Sequence, residues 1–337
     1  MSLPAHLLQR LAMARAAETG APRFVSGSAL AADFNVTRSA IWKAIRRLRE
    51  LGTEIDAITH RGYRLALPSS PLATSGVLAS FKPATRVRLR EGQCTHEIDS
   101  TNSALLKRAA PTPGNFDFMT AEHQSAGRGR RGRSWLAAPG GAVCLSWSWC
   151  FDGLAGPLGA LSLATGVAVL RALRSLGLDG ARLKWPNDLT TARGKLGGIL
   201  IEMRSEAAGP VHVVVGLGLN VALGAEARAQ IGQLGNNATD LAELAAGSRP
   251  PQREQLVAAL LDHGIAAMQE FAQSGLAPFL DEYKAADALA DRAVQVSGGH
   301  GPGEGIARGI DDDGALRIEQ AGRIHRIIAG EVSVRST

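Results

Sequence analysis

Residues 26–52, SGSALAADFNVTRSAIWKAIRRLRELG, leave little choice of local fold. Ser26 or Ser28 can cap a short helix over ALAADF, NV makes a turn, and Thr37 caps a longer helix from Arg38 to Leu51 that Gly52 stops. Two helices joined by so short a turn form a helix-turn-helix. On the second helix Ile41, Ile45 and Leu48 fall at helical spacing and mark the core face. Arg38, Lys43, Arg46, Arg47 and Arg49 are left largely to solvent, with no acidic residue among them. EIDAITHRGYRLAL then reads as two short strands around the turn THRG, a wing. In such a unit the second helix enters the major groove and basic side chains hold phosphates, so Thr37, Arg38, Lys43, Arg46 and Arg47 are candidate DNA-binding residues. The charge distribution agrees. Residues 1–67 carry ten Lys/Arg against five Asp/Glu, whereas the remainder carries 27 against 26.

LPSSPL at 67–72 is the clearest boundary. We expect a winged helix-turn-helix over 1–67, a linker over 68–74, a larger domain over 75–288 and a small C-terminal domain over 289–337. The middle alternates strand-like pieces (FDFMTAEHQ, VCLSWSWC, GGILIEM, VHVVVGLGLN) with helical ones, which gives an α+β domain with a mixed sheet. The stretch 221–250 is weakly patterned and reads as a mobile loop. The tail is a series of short alternating strands, the pattern of a small all-β barrel. No apolar run reaches the roughly 18 residues of a membrane helix, and the N-terminal apolar stretch is broken by Arg10 and Arg15. A cytoplasmic protein with no membrane partner is expected. Cys94, Cys144 and Cys150 form no CxxC pair and read as core residues.

Chemistry concentrates in a few segments. GRGRRGR at 127–133 puts four arginines and three glycines in seven residues, within a region that is nearly neutral. Gly127, Gly129 and Gly132 allow close backbone approach, and the arginines offer charge-assisted hydrogen bonds to phosphate or carboxylate. STN at 100–102 places short polar groups at a helix start, as ligand contacts, as an N-cap, or as both. KWPNDL at 184–189 ends a strand with Asn187 beside Asp188, hard oxygen ligands suited to Mg²⁺. Lys195, at a glycine-flanked turn, can reach a phosphate or carboxylate as a point charge. VVVGLGLN gives a strand whose glycines let a ligand press on the backbone, ending in Asn220.

STN, GRGRRGR with Trp135 beyond it, KWPND, KLGGILIE and GLGLN occur in this order between a winged helix and a strand-rich tail. With these motifs nearly the whole chain resembles the biotin–protein ligases, of the bifunctional type with an N-terminal biotin-operon repressor domain. The resemblance implies an α+β protein: a winged helix-turn-helix, a class II synthetase-like mixed-sheet catalytic domain and an SH3-like β-barrel. It implies that ATP and Mg²⁺ activate biotin to biotinyl-5′-AMP, followed by transfer to a lysine of a biotin carboxyl carrier protein. Ser100, Thr101 and Asn102 match the segment that binds the ureido end of biotin. Gln124, Gly127, Arg128, Gly129 and Arg130 match the rest of the biotin and adenylate loop, which Arg131, Arg133 and Trp135 continue. Lys195 matches the lysine at the biotin carboxyl and adenylate phosphate, and Asn187 and Asp188 match positions beside nucleotide and metal. Lys195, Arg130 and Asp188 are thus the expected catalytic residues, with Asp188 the metal candidate, and Asn220 joins the ligand set. Ser134 stands where well-known relatives carry lysine, and 221–250 matches the adenylate-binding loop by location. Operator DNA and an adenylate-dependent homodimer are the expected partners. A lipoate or octanoate ligase, and a biotin-sensing repressor without ligase activity, are the alternatives.

Overall fold

The computed structural model describes residues 2–17, 22–66, 71–205, 210–235, 237–245, 250–297 and 303–334. Helices α1 (Leu3–Ala16), α2 (Gly27–Asp33) and α3 (Arg38–Glu50) precede the hairpin β1 (Ile55–Ile58) and β2 (Gly62–Leu65). The expected caps form: Ser26 Oγ accepts from Ala29 N at 3.0 Å, and Thr37 Oγ1 accepts from Ala40 N at 3.2 Å. Leu7, Leu8, Leu11, Leu30, Ile41, Ile45 and Leu48 close a core of their own. Arg49 is solvent-exposed, as expected, and it also reaches the wing, donating through Nε and Nη2 to Ile55 O. It thereby braces β1 against α3. Residues 67–70 of the boundary segment lie outside the described residues.

The central region follows as α4 (Thr74–Ser80), α5 (Pro83–Arg86), β3 (Leu89–Ile98), α6 (Thr101–Lys107), β4 (Phe116–Gln124), β5 (Ala142–Phe151), α7 (Leu161–Ser175), β6 (Arg182–Lys184), β7 (Asp188–Thr190), β8 (Lys195–Ser205) and β9 (Val211–Asn220). After these come α8 (Ala225–Gln233), α9 (Leu241–Leu244), α10 (Arg253–Ser274) and α11 (Leu280–Ala286). The stretch 221–250, read from sequence as a loop, therefore carries two short helices. Its Gly/Ala-rich composition gives no 3.6-residue apolar period to announce them. The strands form one mixed sheet in the order β3-β4-β5-β9-β8-β7-β6, with β3 and β4 parallel and the other neighbours antiparallel.

Period-2 alternation decides what this sheet can do. On β5, Val143, Leu145, Trp147, Trp149 and Phe151 face the main core, where α7 and α10 pack. The intervening Cys144, Ser146 and Ser148 are small. On β9, Val213, Val215, Leu217 and Leu219 join the core, and Gly216, Gly218 and Asn220 alternate with them. Cys144 pairs with Gly218 and Ser146 with Gly216 across the strands, while Gly198 of β8 lies opposite Gly218. One face is thus filled by large side chains; on the other α6 covers part of the sheet through Leu105, Met119 and Val214, and the small residues of β5 and β9 leave room for a ligand beside it.

Leu158–Ser175 is long and apolar enough to cross a membrane by length and composition. Here it is a core element, with Leu161, Leu163, Val167, Leu170 and Leu173 buried in the main cluster.

The C-terminal strands β10 (Ala293–Ser297), β11 (Glu304–Ile310), β12 (Leu316–Gln320), β13 (Arg323–Ile327) and β14 (Glu331–Val334) form an antiparallel sheet in the order β13-β12-β11-β10-β14. It shares the main core: Val294, Ala307, Leu316 and Ile318 belong to the same buried cluster as α7 and α10. Trp185 Nε1 donates to Gly314 O at 3.0 Å, which ties the sheet directly to the segment after β6.

The winged helix also sits against the central region. Thr53 Oγ1 donates to Pro139 O at 3.1 Å, and Ala225 N donates to Glu54 Oε1 at 2.5 Å. A Cβ at Gly52 would meet Ala227 Cβ at 3.2 Å and Ala138 Cβ at 3.3 Å, so the end of α3 presses on both segments.

Candidate active site

This second face of the sheet opens into a cavity of about 700 Å³. Of the ligand-binding residues expected from sequence, all except Gly127 and Arg131 line it, and so does Asp188. Ser297 and Val332, from the C-terminal sheet, reach its rim.

At one end, side chains from five segments form a continuous polar chain. Ser100 caps α6, accepting from Ser103 N at 3.4 Å, so the capping reading of STN holds alongside its place in the cavity wall. Thr101 N and Oγ1 donate to Gln124 Oε1 at 2.8 and 3.0 Å. Thr101 Oγ1 lies 2.7 Å from Ser146 Oγ, which donates to Asn102 Oδ1 at 2.6 Å. Asn102 Nδ2 donates to Glu202 Oε2 at 2.8 Å, and Arg128 Nη2 donates to Glu202 Oε1 at 3.1 Å. Ser146 and Glu202 escaped the sequence reading. Both sit among apolar neighbours inside strands, where nothing local sets them apart from other polar strand residues.

Glycine is required on the floor. A Cβ on Gly216 would fall 2.3 Å from Asn102 Oδ1, and one on Gly218 would fall 2.3 Å from Trp135 Cε2. The indole of Trp135 therefore lies directly against the β9 backbone at Gly218. Beside it, burial pushes the Cys144 thiol up to about 12, so this cysteine is neutral filler and not a nucleophile.

The arginine–glycine segment is a tight reversal. Trp135 N donates to Gly127 O at 2.9 Å and Gly129 N to Arg133 O at 2.7 Å, enclosing a single turn over Arg130–Gly132. A Cβ on Gly127 would meet Trp135 O at 2.5 Å, so this glycine serves the reversal rather than the cavity wall. Arg131 (φ 56°) and Gly132 (φ 72°) take left-handed conformations at its tip. The turn aims Arg130 across the cavity, where Nη1 donates to Asn187 Oδ1 at 3.3 Å. Asn187 is held in turn, Nδ2 donating to Ile199 O at 2.7 Å.

Lys195 Nζ lies 2.7 Å from Asp188 Oδ1, with the two side chains 29% and 23% exposed. The backbone of Lys195 is clamped by the segment before α9: Lys195 N donates to Asn237 O at 2.7 Å and accepts at O from Thr239 N at 2.9 Å. Asn220 serves the same clamp, donating through Nδ2 to Thr239 O at 3.0 Å. One side of the cavity thus holds the uncharged groups of Thr101, Gln124, Ser146 and Asn102, backed by the Arg128–Glu202 ion pair, and the other holds Arg130 and the Lys195–Asp188 pair, a division suited to a ligand with a neutral polar head and an anionic end.

A cavity of this kind on a mixed sheet, behind a helix-turn-helix, defines a class: an α+β protein with a ligand-sized cavity and a winged helix-turn-helix head. The Biotin/lipoate A/B protein ligase family matches residues 95–220, an HTH domain matches 19–64 and the Biotin protein ligase C terminal domain matches 291–335. The chain is 36% identical over 314 residues to the bifunctional ligase/repressor BirA of Escherichia coli, covering 93% of this chain and 94% of that one. It is 37% identical over 254 residues to the biotin–[acetyl-CoA-carboxylase] ligase of Mycobacterium tuberculosis, covering 70% of this chain and 86% of that one. The fold is similar to that of an Aquifex aeolicus biotin protein ligase in complex with biotin and ATP, with a TM-score of 0.60 at 24% identity over 74% of this chain and 100% of that one. The chain belongs to the biotin protein ligase family, in its bifunctional ligase/repressor form.

Proposed function

We propose that this protein activates biotin with ATP to biotinyl-5′-AMP, transfers the biotinyl group to a lysine of a biotin carboxyl carrier protein, and represses transcription through its winged helix. The observation that carries the ligase reading is the division of the cavity: Arg130 and the Lys195–Asp188 pair stand across from the Thr101–Gln124–Ser146–Asn102 chain. The neutral chain suits a ureido group, and the cations suit a carboxylate beside a phosphate.

In the first step a biotin carboxylate oxygen attacks the α-phosphorus, the bond to the bridging oxygen breaks, and pyrophosphate leaves. The attacking group is already ionised and needs no base. The obstacle is repulsion between two anions, which Lys195 and Arg130 offset by position and charge. In the second step a neutral lysine amine attacks the carbonyl carbon of the mixed anhydride, the bond from that carbon to the phosphate oxygen breaks, AMP leaves, and the amine's proton passes to solvent. Asp188 is the only carboxylate among the described residues lining the cavity, and no cluster of three metal-capable side chains occurs among the described residues. A magnesium ion would therefore take most of its ligands from phosphate and water, with Asp188 as the protein's contribution. It would supply further positive charge to the phosphates.

Incubation with biotin, ATP, Mg²⁺ and a carrier domain, read by intact mass, should add one biotinyl group to the carrier. Transfer of lipoate in place of biotin, or pyrophosphate release from neither acid, would overturn the assignment. Arg130→Gly is expected to release adenylate into solution faster than wild type does, measured as free biotinyl-AMP in the absence of carrier. Gly216→Ala is expected to raise KM for biotin about tenfold with a smaller change in kcat, because the added methyl displaces Asn102 at a cost of about 1–3 kcal/mol. An unchanged KM would remove Asn102 from the biotin contacts.

For the repressor half, the reading is that adenylate orders the cavity loops and favours a homodimer, which presents two winged helices to a two-fold operator. Thr37, Arg38, Lys43, Arg46 and Arg47 are exposed on α3. Arg46 and Arg47 lie 3.3 and 3.9 Å from Glu50 and remain 61% and 52% exposed, so both can exchange that partner for phosphate. Operator affinity and sedimentation with and without biotin and ATP test this link, and equal values in both states would break it.

A further inference from the structure

The buried face of α3 is Ile41, Ala44, Ile45 and Leu48. On its exposed arc Ser39, Trp42, Lys43 and Arg46 stand at i, i+3, i+4 and i+7, which makes one continuous stripe. Trp42 is the odd member. An indole left 51% exposed gains little from the core of the winged helix. Among the described residues its one ring contact is the guanidinium of Arg46, 5.1 Å from the ring centroid. The other members of the stripe are a hydroxyl and two cations. A basic stripe with an aromatic set in it is complementary to a duplex, whose groove combines phosphate charge with apolar thymine methyls. It is a poor match for an apolar protein surface, which would have to desolvate Lys43 and Arg46.

Recognition helices commonly read base edges with this same spacing of side chains, and apolar side chains contact the 5-methyl of thymine. We propose that Trp42 is a specificity-determining residue that reads thymine in the major groove, with Arg46 stacked against its indole and held in register beside it. The inference rests on the operator-binding reading above and adds the residue that selects the sequence.

The test starts from a pool of random-sequence duplexes, from which full-length wild type and Trp42→Ala, each with biotin and ATP, select binders. Trp42→Ala should bind the duplex selected by wild type at least about tenfold more weakly, and its own selection should lose a preference for thymine at one position per half-site. Replacing that thymine by deoxyuridine, which removes only the methyl group, should weaken wild type and leave Trp42→Ala unaffected. Trp42→Phe should keep most of the preference. A Trp42→Ala protein that selects the same sequence with the same deoxyuridine penalty overturns this inference alone, as does a loss of affinity that is uniform over all duplexes. A wild-type protein that enriches no sequence overturns the operator reading and this inference with it.

Discussion

Lys195→Ala is expected to slow adenylate formation by about 10²–10³-fold, the usual cost of removing one preorganised charge contact from an anionic transition state. The loss has two parts. The ammonium that offsets the carboxylate and α-phosphate is gone. Asp188, whose Oδ1 it holds at 2.7 Å, is left as an unbalanced carboxylate among the residues lining the cavity. The second part predicts a compensation: Lys195→Ala/Asp188→Asn should release pyrophosphate faster than Lys195→Ala alone, while staying well below wild type. The fold should hold, since the clamp on Lys195 uses its backbone N and O rather than its side chain. Pyrophosphate release in single turnover, with melting temperature as control, measures both effects. A wild-type rate in the single variant would remove Lys195 from the chemistry. A double variant no faster than the single would show that Asp188 does more than balance the lysine.

Arg253→Ala is expected to cost about 3–5 kcal/mol of stability, because it strands a buried carboxylate. Arg253 opens α10 and Glu122 lies on β4, with side chains 5% and 3% exposed. Arg253 Nη1 and Nη2 donate to Glu122 Oε2 and Oε1 at 2.9 and 2.8 Å, and Nη1 also donates to Ala142 O at 3.0 Å. Glu122 further accepts from Leu72 N at 2.7 Å and from Gly140 N at 2.9 Å. Burial alone would raise the Glu122 carboxyl, but Arg253 and these two N–H groups outweigh it and hold the group below its ordinary value. A depressed carboxyl stabilises the fold at neutral pH, and that contribution is lost as pH falls through and below the ordinary carboxylate range. Denaturant unfolding of wild type and variant at neutral and acidic pH reads both. The gap between them should narrow in acid, and a gap independent of pH would place the cost in packing rather than charge.

The sequence announces the winged helix because its signals are local: a threonine cap, a glycine stop and apolar residues at helical spacing act within a few residues of one another. The site is legible for a related reason. The arginine–glycine reversal, Lys195 and the β9 glycines each break the pattern of their own segment, and breaks of pattern are visible without neighbours. What stays hidden depends on partners distant in sequence. Glu202 matters through Asn102 and Arg128, and Ser146 through Thr101 and Asn102, from separate elements. Arg49 reads as one more basic side chain on α3 until the wing folds back and takes it. The rim residues Ser297 and Val332 come from strands whose alternation shows only that they belong to a sheet.

The contacts described at the seam between head and body are made by Thr53 against Pro139, Gly52 against Ala138 and Ala227, and a backbone amide against Glu54. Apart from Glu54 these are methyl groups, a hydroxyl and main chain. Ionic strength should therefore act unequally on the two attachments of the head. Mobile ions compete for phosphates and strip a duplex from α3 steeply, but they find little to screen where the head rests on the loop before β5 and on α8. In concentrated electrolyte the protein should let go of its nucleic acid while keeping its own shape.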